Sequence, residues 1–237
     1  QTLKEEIIMS KRIPHPPSWQ TPQVVDQTTT QSAASWQASQ KVLRNTYGLL
    51  GLTIAFSAAV AATSMAMGWP APGLLLSLGG MLGLFFLTHK LANSGWGLVS
   101  TFALTGFMGY MLGPVLNQAM SLPSGPAIVT NALASTAVAF IGMSAIAWTS
   151  KRDFSFMGSY LLIGTLVAVA LGLGAMFFEI PALSLAVSGM VVLLMCGMLL
   201  FETSRIVHGG ETNYILATVS LYTSLYNLFT SLLALFG

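Results

Sequence analysis

Between Gly48 and Phe236 the chain is a succession of seven apolar runs, most close to twenty residues long and separated by short connections. No other feature narrows the possible folds as far. An α-helix rises about 1.5 Å per residue, so some twenty apolar residues match the roughly 30 Å hydrocarbon core of a bilayer. Inside hydrocarbon every backbone N–H and C=O needs a partner, and a helix supplies those partners within itself. The runs therefore predict an all-α membrane protein with helices at about 48–67, 73–88, 97–120, 127–148, 156–178, 182–204 and 214–236. Composition agrees: 54% of the residues are hydrophobic and 7% charged, where a soluble domain carries about 25% charged residues. Short connections make consecutive helices antiparallel neighbours, and the many Gly, Ala and Ser positions suit close helix contacts.

The basic residues set a topology. All nine fall in the N-terminal segment or in alternate connections: Lys4, Lys11, Arg12, Lys41 and Arg44, then Lys90, then Lys151 and Arg152, then Arg205. The opposite connections, 68–72, 121–126 and 178–181, hold no Lys or Arg. Positive residues favour the cytoplasmic side, so the N-terminus is expected in the cytoplasm and the C-terminus outside. A count of six spans would break this partition.

Residues 1–40 are polar and rich in Pro, Gln, Ser and Thr, with Pro14, Pro16, Pro17 and Pro22 among them. Such a composition buries too little apolar area to offset its ordering entropy, which predicts a disordered cytoplasmic tail. As a random coil it would reach roughly 35 Å. The expectation is an interfacial helix near 39–47, with Trp19 and Trp36 candidates for touching the membrane surface. No apolar core of a cleavable signal is present in this stretch, and Met9 followed by Ser10-Lys11-Arg12 reads as a natural start.

Enzymatic and metal-binding signatures are absent from the sequence. There is no phosphate-binding loop, no dinucleotide fingerprint and no zinc-protease pattern, and Gly172-Leu173-Gly174 lies inside an apolar run as packing glycines. The one cysteine, Cys196, sits in an apolar run and reads as a small buried hydrophobe. An intramembrane serine protease needs a histidine base, but His15, His89 and His208 all lie outside the middle of the runs. The composition points to no cofactor, no metal and no nucleic acid, with the lipid bilayer as the obligatory surrounding.

Polarity is concentrated at the seventh run and the connection before it. Asn213, Ala217, Ser220, Ser224, Asn227 and Ser231 recur at spacings of three and four, which places them on one helical face. A polar face in hydrocarbon needs protein against it. Glu202 and Arg205 are three residues apart and can pair on one face. An ionisable residue near the end of a membrane helix is a functional candidate. Mutual neutralisation at the interface is the other reading, and the residues alone leave both open.

The segments 41–47, Pro72-Gly73-Leu74, Gly109-Tyr110-Met111-Leu112-Gly113-Pro114, Arg152-Asp153-Phe154-Ser155-Phe156 and, above all, 201–214 with 217–227 resemble the Bax inhibitor-1 family. The resemblance covers roughly residues 40–237, and its most specific part is the polar loop carrying His208, Gly209, Gly210, Glu211 and Asn213. It implies seven helices with the last at the centre of the other six. Some members of the family resemble pH-sensitive calcium leaks gated by two aspartates and a nearby base. By position those groups fall on Glu202, on Ser224 and near His89 or Lys90. Two close carboxylates share a proton and so respond to pH, whereas Glu202 with Ser224 cannot. A bacterial branch of the family implies a different, non-enzymatic role: binding an FtsH-type membrane AAA protease as a slow substrate and a brake. The polar candidates are thus Glu202, Arg205, Ser224, Asn227, His89 and Lys90. Protease modulation is the leading expectation, with a calcium or proton leak through the bundle as the alternative.

Overall fold

Helix follows helix along the whole described chain. The computed structural model describes residues 27–150 and 152–237, with side chains from Gln37 onward apart from Ala38. The expectations for residues 1–26, for Trp19 and the Trp36 side chain, and for Lys151 lie outside the described residues. The helices are α1 (Gln27–Ala66), α2 (Leu74–Leu91), α3 (Trp96–Met120), α4 (Gly125–Thr149), α5 (Gly158–Phe177), α6 (Pro181–Val207) and α7 (Tyr214–Phe236). A 3₁₀ turn, Ser155–Met157, leads into α5. Seven helices among the described residues are long and apolar enough to cross a membrane, the first of them from Ser39 to Ala66. Residues 36–237 form one compact unit, and the contacts below belong to it.

The first helix starts at Gln27, ahead of the interfacial helix expected near 39–47, and runs on without a break into the apolar run expected from 48. After Pro22 the sequence contains neither Pro nor Gly until Gly48, so nothing breaks a helix there despite the polar composition. The helix stops are local. Gly68 and Gly209 take φ of +62° and +76°, the left-handed conformation that ends helices cheaply at glycine. At α1 the N–H of Trp69 donates to the Ser64 carbonyl at 3.1 Å, and at α6 Gly210 donates to Arg205 at 2.8 Å. Both are Schellman closures. Pro126 and Pro181 sit at the first positions of α4 and α6, where proline loses no hydrogen bond.

The last helix is the most enclosed: half of its apolar stretch is buried, against 6% for α2. It packs against α3, α4 and α6. It also bonds to α1, where the Thr218 hydroxyl donates to the Thr46 carbonyl at 3.3 Å. Packing of α2 on α3 and of α5 on α6 forms an outer layer. Leu221, Leu228 and Val219 are fully buried on α7 and join Leu104, Leu199 and Leu50 in one core cluster.

Consecutive helices alternate in direction, so the α2–α3, α4–α5 and α6–α7 connections share one end of the bundle. Contacts tie them there: Asn213 reaches Ala92 and Asn93, and Phe154 reaches Ser204. At the other end the Tyr110 hydroxyl donates to the Pro70 carbonyl at 2.8 Å and Asn117 to the Met65 carbonyl at 3.2 Å.

Candidate functional site

Glu202 lies near the end of α6 and faces α7. The Ser224 hydroxyl, 3% exposed, stands 3.2 and 3.3 Å from the two Glu202 carboxylate oxygens and donates to them. A carboxyl group is thus met by a neutral donor on the central helix. The pair can hold α6 to α7, and the serine cannot ionise in place of a second acid.

Arg205 does not pair with Glu202. Its guanidinium bonds Glu211 Oε2 at 3.2 Å and the Gly210 carbonyl at 3.4 Å, and it lies 5.6 Å from the centre of the Phe201 ring. The reason is the Schellman closure: Gly209 and Gly210 fold the chain back over the last turn of α6, which brings Glu211 over Arg205. Glu211 then accepts from the Asn213 N–H at 3.0 Å through its other oxygen. Of the remaining candidates, Asn227 donates to the Thr223 carbonyl of its own helix at 3.0 Å. His89 and Lys90 are exposed. His89 packs against Phe85, the rings tilted by 38° with centres 4.5 Å apart, and bonds the Phe85 carbonyl. Neither reaches Glu202: among the described residues the ion pair is Arg205–Glu211. The sequence candidates therefore divide into the Glu202–Ser224 contact, the Arg205–Glu211–Asn213 loop and solitary groups.

The loop is the better-built element. Asn213 caps α7, its Oδ1 accepting from the N–H groups of Ile215 and Leu216 at 2.9 and 3.3 Å, as an N-cap side chain should. Its Nδ2 donates to the Ala92 carbonyl at 3.1 Å and Asn93 Oδ1 at 2.8 Å. One side chain thereby starts the central helix and fastens it to the α2–α3 connection. His208 completes the other flank, its Nδ1 donating to the Ser204 carbonyl at 2.9 Å.

A cluster beside it escaped sequence reasoning. Ser204 is fully buried, and its hydroxyl accepts from the Phe154 N–H at 3.0 Å and lies 3.5 Å from Asp153 Oδ1. The Ser155 hydroxyl and N–H, at 2.6 and 2.9 Å, donate to Asp153. Those bonds hold the exposed Asp153 carboxyl below its ordinary value, with slight burial opposing and His208 adding to the depression. The available signal was Asp153-Phe154-Ser155 just after a helix end, since Asp bonds the backbone two residues on. In the membrane interior, Tyr222 bonds the Ser57 hydroxyl of α1 and the Thr105 carbonyl of α3 at 3.4 Å. No group of three His, Cys, Asp or Glu among the described residues is placed to hold a metal ion.

Asn213→Ala removes a cap and two loop bonds together. Cap loss alone costs about 0.5–2 kcal/mol, and the Ala92 carbonyl, on a residue 5% exposed, loses its donor. A loss of roughly 2–3 kcal/mol is expected, read as a lowered thermal midpoint in detergent. Asn213→Asp, which keeps the cap acceptor and loses the Nδ2 donor, should fall between the two.

A family model described as "Inhibitor of apoptosis-promoting Bax1" matches residues 39–237. An uncharacterized protein of Pseudomonas aeruginosa is 55% identical over 196 residues, covering 83% of this chain and 88% of the relative. The protein named "Modulator of FtsH protease YccA" in Escherichia coli is 50% identical over 211 residues, covering 89% of this chain and 95% of that one. In a second E. coli strain a relative with the same identity is named "Inner membrane protein YccA".

Proposed function

The chain belongs to the Bax inhibitor-1 family, and from that premise we propose that it is a multi-pass protein of a bacterial inner membrane that modulates an FtsH-type membrane protease. It acts without chemistry of its own, as a substrate degraded slowly enough to restrain degradation of other membrane proteins. The observation that carries this reading is the half-identity to the E. coli FtsH modulator along 95% of that protein. A match of that extent runs through the connections as well as the helices.

The topology that suits this role puts the N-terminus and the Lys- and Arg-bearing connections in the cytoplasm. The Arg205–Glu211–Asn213 loop and the Asp153–Ser204 cluster then face the side on which a membrane AAA protease carries its ATPase ring. The test is a pulse-chase of a second membrane substrate of the protease, with and without overproduction of this chain. Its half-life should lengthen several-fold, and only in cells that contain the protease. An unchanged half-life would sink the proposal.

The alternative, a cation leak, turns on Glu202. Gln keeps an oxygen that accepts from Ser224, so Glu202→Gln should shift stability by less than about 1 kcal/mol. Under protease modulation its braking effect stays at the wild-type level. Under the leak reading, calcium or proton flux into liposomes disappears while the fold survives.

A further inference from the structure

One face of α1 faces one face of α4 along a seam that changes character with depth. At the end that carries the α4–α5 connection, Gln37, Gln40, Lys41, Arg44 and Tyr47 of α1 and Trp148 of α4 line a cavity of about 720 Å³. Among the described residues two cations and two amides line it, with no carboxylate, and neither cation pairs with an acid. Deeper along the same two helices lies an apolar groove of about 450 Å³, whose outer walls include Ile54, Ala58, Ala62, Leu133, Ala137 and Phe140. Positions 37, 40, 44, 47, 51, 54 and 58 follow one another at spacings of three and four, so cavity and groove share one stripe of α1. Between them Tyr47 leans on Phe140, ring centres 5.7 Å apart, and donates to the Ser144 hydroxyl at 3.0 Å. Beside it Gly48 and Gly51 leave the surface open: a Cβ at either would meet nothing within 4 Å.

We propose that this seam binds an anionic diacyl phospholipid, with its phosphate between Lys41 and Arg44 and one acyl chain laid past Tyr47 and Gly51 into the near end of the groove. The geometry fits a lipid. From Arg44 to Ile54 the helix rises about 15 Å, half of the roughly 30 Å hydrocarbon core and so the depth one leaflet's chain covers. Tyr47 and Trp148 flank the mouth, as amphipathic rings do at headgroup level. The Tyr47–Ser144 bond closes the seam to a transmembrane helix about 10 Å across while leaving a path for a single chain along the glycines. Basic pockets between membrane helices recognise anionic headgroups by charge.

The test uses the full chain purified in detergent, titrated with phosphatidylglycerol and with phosphatidylcholine of the same acyl chains, binding being read by native mass spectrometry. Two cations near the surface should favour phosphatidylglycerol about thirtyfold. Lys41→Gln with Arg44→Gln should reduce that preference to near unity, with helicity and the lipid-free thermal midpoint unchanged. Gly51→Leu, placed in open space, should weaken phosphatidylglycerol several-fold, and a dihexanoyl phosphatidylglycerol should bind wild type weakly. Equal binding of the two headgroups by wild type would overturn the proposal, as would a charge-neutral variant that retains the preference. Short-chain lipid binding as tightly as long-chain, with Gly51→Leu silent, would overturn the acyl-chain path and leave only an anion site. Exclusion of both lipids until residues 1–36 are removed would overturn it too, identifying those residues as the occupant.

Discussion

Gly109→Leu is expected to prise the bundle apart between α1 and α3, lowering stability by roughly 3 kcal/mol or more. A Cβ built at Gly109 would lie 2.5 Å from the Ser57 carbonyl oxygen, which is backbone and cannot swing aside. One turn along, a Cβ at Gly113 would collide with Ser64. Gly109 and Gly113 are thus the small-xxx-small contact through which α3 meets α1. Lipid is as apolar as leucine, so membrane helices adhere through close packing and hydrogen bonds and not through the hydrophobic effect. Prising α3 from α1 therefore loses most of what joins them. It stretches the bond from Ser64 to the Tyr110 carbonyl, 3.1 Å, and disturbs the Ser57–Tyr222 contact that fastens α1 to the central helix. Overpacking a well-filled site by a few methylenes costs about 1–3 kcal/mol, and a rigid backbone neighbour puts this site above that range. The measurement is unfolding of purified protein in mixed micelles. Gly142→Leu is the control, because a Cβ there meets nothing within 4 Å, and it should stay within about 0.5 kcal/mol of wild type. Equal stability of the two variants would mean that α1 and α3 are farther apart than described.

How far the sequence could be read depended on which physical force set each feature. Helix number follows from hydrocarbon thickness, so seven apolar runs are enough to reveal it. The packing of α7 against protein was legible in its recurring polar positions, which need protein against the one face they share. Ser224 shows this: its spacing placed it on that face, the family resemblance marked the same position, and it is buried against Glu202. The start of α1 was obscured because polar composition and helix propensity point different ways between Gln27 and Ala38, and composition was the louder signal. The partner of Arg205 was obscured for another reason. Spacing along an uninterrupted helix pointed to Glu202, but the left-handed turn at Gly209 returns the chain over α6 and offers Glu211 instead. A fold-back contact of that kind depends on where a helix stops, and stopping points are the least legible feature of a sequence. The Asp153–Ser204 contact joins residues 51 apart, a distance no local pattern spans.

Deleting residues 10–38 should abolish turnover of the chain by the FtsH-type protease while leaving the bundle folded. A membrane AAA protease must grip a segment outside the bilayer before it can pull. The polar, proline-rich N-terminal segment is the longest non-spanning stretch in the sequence, and we propose it as that grip. The deletion spares the first span, Ser39–Ala66, and leaves Lys41 and Arg44 to fix its orientation. Resistance resides elsewhere, in the contacts that hold seven helices together, so grip and resistance can be separated by combining the deletion with Gly109→Leu. Pulse-chase of four chains gives the ordering. Wild type should turn over slowly and only with the protease present. Gly109→Leu with the tail should turn over several-fold faster and lose its brake on other substrates, because a loosened bundle no longer occupies the protease. Both tail-less chains should persist, the loosened one included. Rapid, protease-dependent loss of the tail-less Gly109→Leu chain would show that the protease grips a connection instead, and the α4–α5 connection around Asp153 would be the next segment to remove. Equal persistence of all four chains would separate this protein from the protease altogether.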